Sequence, residues 1–310
     1  MTGRSIDRSS DPANEGVLVI DKPLGPTSHD VVASARRILR EKRIGHTGTL
    51  DPLATGVLPL VIGRATRLAS LLSSAEKEYE AGIRLGAATA TYDAAERLAR
   101  GDPPPPAPPV DVSTVEAALA SFRGPFEQMP PPYSAKKVGG VPSYTLARKN
   151  RPAGLAAVRV TVHGLTLLGL DEGLVRVRIV SSAGFYVRSL AHDLGALLGC
   201  GGHLEALRRT RAGSFGLEKA VRLEDLEARA GGAAGLVIPL EGLLPELPAV
   251  RLTERGARRA SHGNFLTAED LAESGPGPVA RVRLFDGAGR LLGIAEPGPD
   301  GLLRPSIVLV

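Results

Sequence analysis

A chain of 310 residues, 43 % hydrophobic and 23 % charged, is long enough to bury a full core, and its composition excludes a disordered or membrane-embedded class. A single cysteine, Cys200, rules out an internal disulfide, and no Cys/His cluster has zinc spacing, so a reducing, cytoplasmic setting fits. The net charge of +5 favours a polyanionic partner.

In chain order, residues 1–15 form a polar leader without the apolar stretch of an export signal, expected to be disordered, and no later apolar run is long enough to span a bilayer. The segment "GVLVIDKP" predicts a short buried strand stopped by Pro23. "GPTSHDVVASARRILR" predicts a helix capped by Thr27 or Ser28, with Val31, Ala35 and Leu39 on one face. From Arg43 to Gly63, "RIGHTGTLDPLATGVLPLVIG" reads as a stiff loop carrying one carboxylate, Asp51. A short helix over "ATRLASLL" follows, and then a strand over "KEYEAGIRLG", where Tyr79, Ala81, Ile83 and Leu85 alternate with polar or small residues.

The run "GDPPPPAPPVD", near 101–110, cannot supply backbone donors and is expected as an extended surface loop inside one domain. "STVEAALASF" resumes as a helix with a capping box from Ser113 to Glu116. "AVRVTVHGLTLLGL" and "GLVRVRIVSSAG" predict paired strands, with Arg176 and Arg178 facing away from Val175, Val177 and Ile179. "RSLAHDLGALLG" predicts a helix. Pro239, Pro245 and Pro248 end the helical pattern, which places a domain boundary near Pro248. The division is then 16–248 and 249–310, the latter a small β-rich module whose "VARVRLFDGAGRLLGIAE" reads as a hairpin.

Taken singly, the residues that could carry chemistry have ordinary readings. Asp51-Pro52 is a turn, Tyr79 a core aromatic, Arg188 a helix-surface arginine, and His46 a capping or core histidine. The glycine-rich loop lacks both the Gly-Lys-Ser/Thr ending of a P-loop and the ordered glycines of a dinucleotide fingerprint.

The phrases "GVLVIDKPLGPTSHDVV", "GHTGTLDPLATGVLPLVIGRATR", "KEYEAGIRLG", "QMPPPYSAKKVGGVPSYTLAR", "GFYVRSLAHDLG" and "LRRTRAGSFGL", in this order from Gly16 to Val221, resemble the TruB family. Its members are bacterial tRNA pseudouridine synthases that isomerise the uridine at position 55 of the T arm. The resemblance implies an α+β fold: a mixed, mostly antiparallel sheet flanked by helices and loops, followed by a small PUA-like β domain. It implies Asp51 as the catalytic aspartate, Tyr79 stacked on the target base and Arg188 ion-paired with the aspartate. His46 and Lys22 would line the same cleft, with Tyr186 and Lys137 as further candidates.

The reaction breaks the N1–C1′ bond, turns the base, joins C5 to C1′ and releases the C5 proton, so it calls for no cofactor or metal. It needs an ionised carboxylate as nucleophile or base, which a guanidinium able to grip it bidentately would keep charged against desolvation. Thr47 and Thr49 offer hydroxyl contacts to RNA, while Arg208 and Arg209, with "AKK", "ARKNR" and "RLTERGARRASHG", are expected to meet phosphates. A tRNA T arm is the expected partner, with no protein partner and a monomeric enzyme. "TATYDAAE", with Ala90 and Glu96, departs from the family pattern in what reads as a local loop, and Phe185 stands where threonine is frequent.

Overall fold

The computed structural model describes residues 15–134, 155–229, 235–273, 277 and 279–310, and the backbone of 137–138, 141–142 and 233–234. Of the segments expected to matter, the leader to residue 14, "AKK" except for the backbone of Lys137, and "ARKNR" lie outside the described residues. Glu15, expected to end the leader, is buried and pairs with Arg64.

Among the described residues the larger sheet has eleven strands. Nine carry labels here: β1 (Gly16–Lys22), β2 (Ile44–His46), β3 (Ala54–Ile62), β4 (Lys77–Leu85), β5 (Gly124–Gln128), β6 (Val158–Asp171), β7 (Leu174–Ser181), β8 (Gly202–Ala212) and β9 (Val221–Arg222). They run β9-β1-β3-β8-β4-β7-β6-β5, with β2 added alongside β3. The β1–β9 and β3–β8 pairs are parallel and the other labelled pairs antiparallel. With helices α1 (Ser28–Leu39), α2 (Ala69–Ser73), α3 (Ala95–Arg100), α4 (Val112–Ala120), α5 (Val187–Leu197) and α6 (Leu223–Ala228), the fold is α+β.

Apolar residues at successive positions leave β1 and β3 buried on both faces. Val17, Val19, Val57 and Val61 point into one apolar cluster, while Leu18, Ile20, Leu58, Leu60 and Ile62 join a second with Val31, Val32 and Ala35 of α1. A third cluster holds α4 and α5 against β4, β6 and β7. Thr27 is the cap of α1, in a reciprocal box with Asp30. The cap of α4 is Asp111, accepting from the Thr114 N–H, so the expected Ser113–Glu116 box is not the one used. The aspartate two residues earlier starts the helix first.

The segment 43–63, read as one loop, instead contains the whole of β2 and β3, leaving only Thr47–Leu53 as the connection. Pro59 hid this strand. Its missing N–H falls between the ladder to β8, at Ala54–Gly56, and the ladder to β2, at Leu60–Ile62, where it costs no bond. Gly56, with φ +99°, lets β3 close on β8: a Cβ there would stand 2.2 Å from the Arg209 carbonyl oxygen.

A second sheet of β10 (Ala249–Arg251), β11 (Val282–Phe285), β12 (Leu291–Pro297) and β13 (Leu303–Val308), in that order, carries helix α7 (Glu254–Ser261). It has its own core around Leu266, Val282 and Leu284. It is also fused to the main body, because Leu291, Ile294 and Leu309 complete the cluster of Val17, Val57 and Val61. Arg64 donates to the Leu309 carbonyl across the same seam, at 3.0 Å.

Candidate active site

The Thr47–Leu53 connection is fixed along its length by backbone groups. The Thr47 N–H donates to Pro59 at 3.2 Å, and the Ala54 N–H closes back on the Asp51 carbonyl at 3.0 Å. Gly25 donates to the Pro52 carbonyl at 2.9 Å. Ser28 Oγ donates to the Leu50 carbonyl and accepts from the Leu50 N–H, at 2.9 and 2.8 Å. These bonds satisfy a segment with few side chains to pack, and they hold Asp51 still.

Asp51 lines a cleft of about 410 Å³, a volume typical of pockets that take one small ligand. Tyr79, Tyr186, Arg188, Lys77 and Arg209 share its walls with the loop. The carboxylate keeps 42 % of its side-chain surface open toward the cleft while protein surrounds it on its other sides. Burial pushes its pKa above the ordinary carboxylate value. Arg188 pulls it down, Asp93 pushes it up and Lys22 pulls it down, and burial prevails.

Arg188 Nε meets Asp51 Oδ2 at 3.0 Å. The two terminal nitrogens are engaged elsewhere, donating to the Thr91 carbonyl at 3.1 Å and the Tyr133 carbonyl at 2.9 Å. The expected bidentate grip is therefore a single contact, because the rest of the fork anchors the guanidinium to the protein. Asp93 Oδ2 stands 3.7 Å from Arg188 Nη1. The "TATYDAAE" segment, read as a local loop, thus supplies two of the groups around Arg188. The signal available in sequence was Asp93, the acid inside the loop, as distinct from Glu96 on the helix that follows.

Tyr79 is buried on β4, directly opposite Arg209 of β8 in the ladder. Arg209, only 2 % exposed, is no phosphate contact: its Nε donates to the Val57 carbonyl at 2.7 Å and its Nη2 to the Gly48 carbonyl at 3.0 Å. One guanidinium therefore joins the loop to β3. Arg208 points to the other face of the sheet, where it pairs with Asp21 at 2.8 Å. The pattern "RRTR" hides this alternation, since neighbours in a strand face opposite ways.

Lys22 does not line the cleft. It is wholly buried, donates to the Ala54 carbonyl at 2.6 Å, and burial lowers its pKa to about 8. Lys77, not singled out by sequence, does line it; it donates to the Ser73 and Ala75 carbonyls and is likewise lowered to about 8 by burial. Thr47 is buried and Thr49 exposed at the rim. His46 accepts from the Gly48 N–H at 3.3 Å, outside the cleft lining, and burial lowers its pKa, favouring the neutral ring. The Tyr186 backbone is clamped by the Gln128 amide at 2.8 and 3.0 Å, which turns its ring into the cleft, and burial raises its pKa. Among the described residues no group of three His, Cys, Asp or Glu side chains could hold a metal ion, and no helix is long and apolar enough to cross a membrane.

Three family models match the sequence. "TruB family pseudouridylate synthase (N terminal domain)" covers residues 36–187, "tRNA pseudouridylate synthase B C-terminal domain" 188–244, and "Pseudouridine synthase II TruB, C-terminal" 248–309. The chain is 45 % identical over 300 residues to tRNA pseudouridine synthase B of Solibacter usitatus, covering 95 % of this chain and 100 % of that one. It is 44 % identical over 303 residues to tRNA pseudouridine synthase B of Thermobifida fusca, covering 95 % and 98 %. Among solved structures it is similar to a Cbf5-Nop10-Gar1 complex, with TM-score 0.75 and 27 % identity over 99 % of this chain and 88 % of that one. An H/ACA RNP bound to a substrate RNA containing 2′-deoxyuridine gives TM-score 0.73 and 25 % identity, with the same 99 % and 88 % coverage.

Proposed function

The chain belongs to the TruB family of pseudouridine synthases, and from that premise we propose that it converts the uridine at position 55 in the T arm of tRNAs to pseudouridine, as a cytoplasmic monomer. The observation that carries the proposal is the single carboxylate, Asp51, held 3.0 Å from Arg188 in a cleft it shares with Tyr79.

A uridine within the T arm is stacked, so it must leave the stack at a cost of roughly a few kcal/mol. Tyr79 returns part of that cost by stacking on the extruded ring, typically about 1–3 kcal/mol per base. Asp51, ionised and fixed by its loop, faces the nucleoside as the N1–C1′ bond breaks. The detached base turns and C5 bonds to C1′. The C5 proton leaves, N1 regains one, and nothing is oxidised or reduced. The walls around Asp51 keep water from the C1′ centre while the base is free. The Tyr79 hydroxyl, next to Arg209, is placed to take part in removing the C5 proton.

Release of tritium from tRNA carrying [5-³H]uridine tests the proposal. Turnover by the wild-type chain, lost in Asp51→Asn, is the expected result. Tight tRNA binding without release would instead make the chain a silent tRNA-folding protein, and release from another RNA alone would move the target away from the T arm.

A further inference from the structure

Two of the groups that surround Arg188, the Thr91 carbonyl and the Asp93 carboxylate, come from one short loop between β4 and α3. Between them stands Tyr92, whose φ is +64°, a left-handed conformation that bulky side chains avoid. Such an outlier persists only where its surroundings over-determine it. The Tyr92 ring lies flat on the His192 ring, with centroids 3.8 Å apart and planes 5° from parallel. His192 follows Arg188 by four residues on α5, so the two share one face of that helix. The stack therefore ties the strained loop to the helix that carries Arg188. Neither ring lines the Asp51 cleft, and His192 Nδ1 is buried without a hydrogen-bond partner, so hydrogen bonding at that nitrogen does not explain the ring's placement.

The rest of the loop is arranged to transmit that hold. Thr91 Oγ1 donates to Asp93 Oδ1 and Thr89 Oγ1 to the Asp93 carbonyl, both at 2.8 Å, while the Leu204 N–H fixes the Tyr92 carbonyl at 2.9 Å. We propose that Tyr92 and His192 are a positioning pair: their stack holds the loop in its left-handed turn, so that Thr91 and Asp93 set the Arg188 guanidinium against Asp51. The inference rests on the uridine-isomerase reading above.

The test is single-turnover and steady-state tritium release by the full chain, with thermal unfolding alongside. Tyr92→Gly removes the ring and relieves the backbone, so it is expected to melt no lower than wild type. Its kcat should still fall about tenfold or more with KM within about threefold, because misplacing a catalytic group reaches the chemical step rather than binding. Tyr92→Phe keeps the stack and should hold kcat within about twofold. His192→Ala should match Tyr92→Gly, and the double variant should be no slower than either single one.

Wild-type kcat in Tyr92→Gly, or losses that multiply in the double variant, would overturn the inference while leaving the isomerase reading intact. A fall in activity that only tracks a lower melting temperature would do the same. No release by the wild-type chain overturns the reading and the inference together.

Discussion

The cleft around Asp51 and the module that begins at Ala249 both gather basic side chains, but they hold charge in different ways. In the cleft region Lys22, Lys77, Arg188 and Arg209 are all buried, and backbone carbonyls take most of their donors. Carbonyls satisfy hydrogen bonds without cancelling charge, so four cations stand against two close acids, Asp51 and Asp93. In the module Arg255, Arg258 and Arg259 lie on the surface of α7 and face Glu254, Glu269 and Asp270. There the positive charge is met locally by carboxylates. Counting basic residues along the sequence cannot separate the two cases, because what distinguishes them is the identity of each partner.

The sharpest break of the comparison is Asp51→Asn. Turnover is expected to fall about 10³-fold or more, while tRNA affinity stays within about tenfold, or 1.4 kcal/mol. Stability should move in the opposite sense. The folded chain holds the Asp51 proton more tightly than the unfolded one, so above the ordinary carboxylate pKa the ionised group costs stability. The variant should therefore melt no lower than wild type at pH 7, with any gain vanishing as pH falls below that value. The same upward shift gives the wild-type rate an acid limb displaced to higher pH than a free carboxylate would give. A variant that melts lower at pH 7 would show the cleft to be built for stability.

Arg209→Met comes next. Removing the guanidinium strands the Val57 and Gly48 carbonyls, at roughly 1–3 kcal/mol for each group left unpaired. Urea unfolding should show a loss of several kcal/mol, with turnover reduced even where the protein is fully folded. A loss below about 0.5 kcal/mol, the scale of a surface pair, would mean that Arg209 behaves like the module's arginines after all.

The buried lysines sharpen the comparison by pH. Lys22 and Lys77 lose their protons at about 8 in the folded chain and at about 10.5 once unfolded. Between these values the unfolded chain holds more protons, so these two groups make stability rise with pH; below about 8 their cost is fully present. Stability measured from pH 8 to 10 should climb less in Lys77→Met than in wild type. Equal slopes would mean that Lys77 titrates as a free surface lysine.

Much of this was legible before the structure. The strands over Gly16–Lys22 and Lys77–Leu85 and the helix from Ser28 follow from period and caps, which are local properties. The strand at Ala54–Ile62 was not, because Pro59 and four nearby glycines mimic a loop, and only the ladder register shows that no donor is missed. Asp51, Tyr79 and Arg188 were legible only as part of a family pattern; burial and the single Nε contact needed coordinates. Arg209 was misread as a phosphate contact because the face of a strand depends on register, and Asp93 was passed over because its partner is 95 residues away.

The smallest expected effect lies in the module and decides whether its basic helix meets RNA at all. Arg255 and Arg259 both point at the buried Asp270, so replacing either would disturb the fold as well as the charge. Arg258 is the cleaner probe: among the described residues its one ion pair is to Glu254 at 4.0 Å, and both side chains are largely exposed. Such a pair contributes under about 1 kcal/mol, so Arg258→Ala should leave the melting temperature nearly unchanged. If α7 contacts a phosphate through Arg258, the plot of log affinity against log salt should flatten by about 0.7–0.9, with kcat at saturating tRNA untouched. An unchanged slope would remove Arg258 from the RNA surface. The comparison would then stand in its strong form, with the cleft holding charge for RNA and the α7 arginines holding it for their own carboxylates.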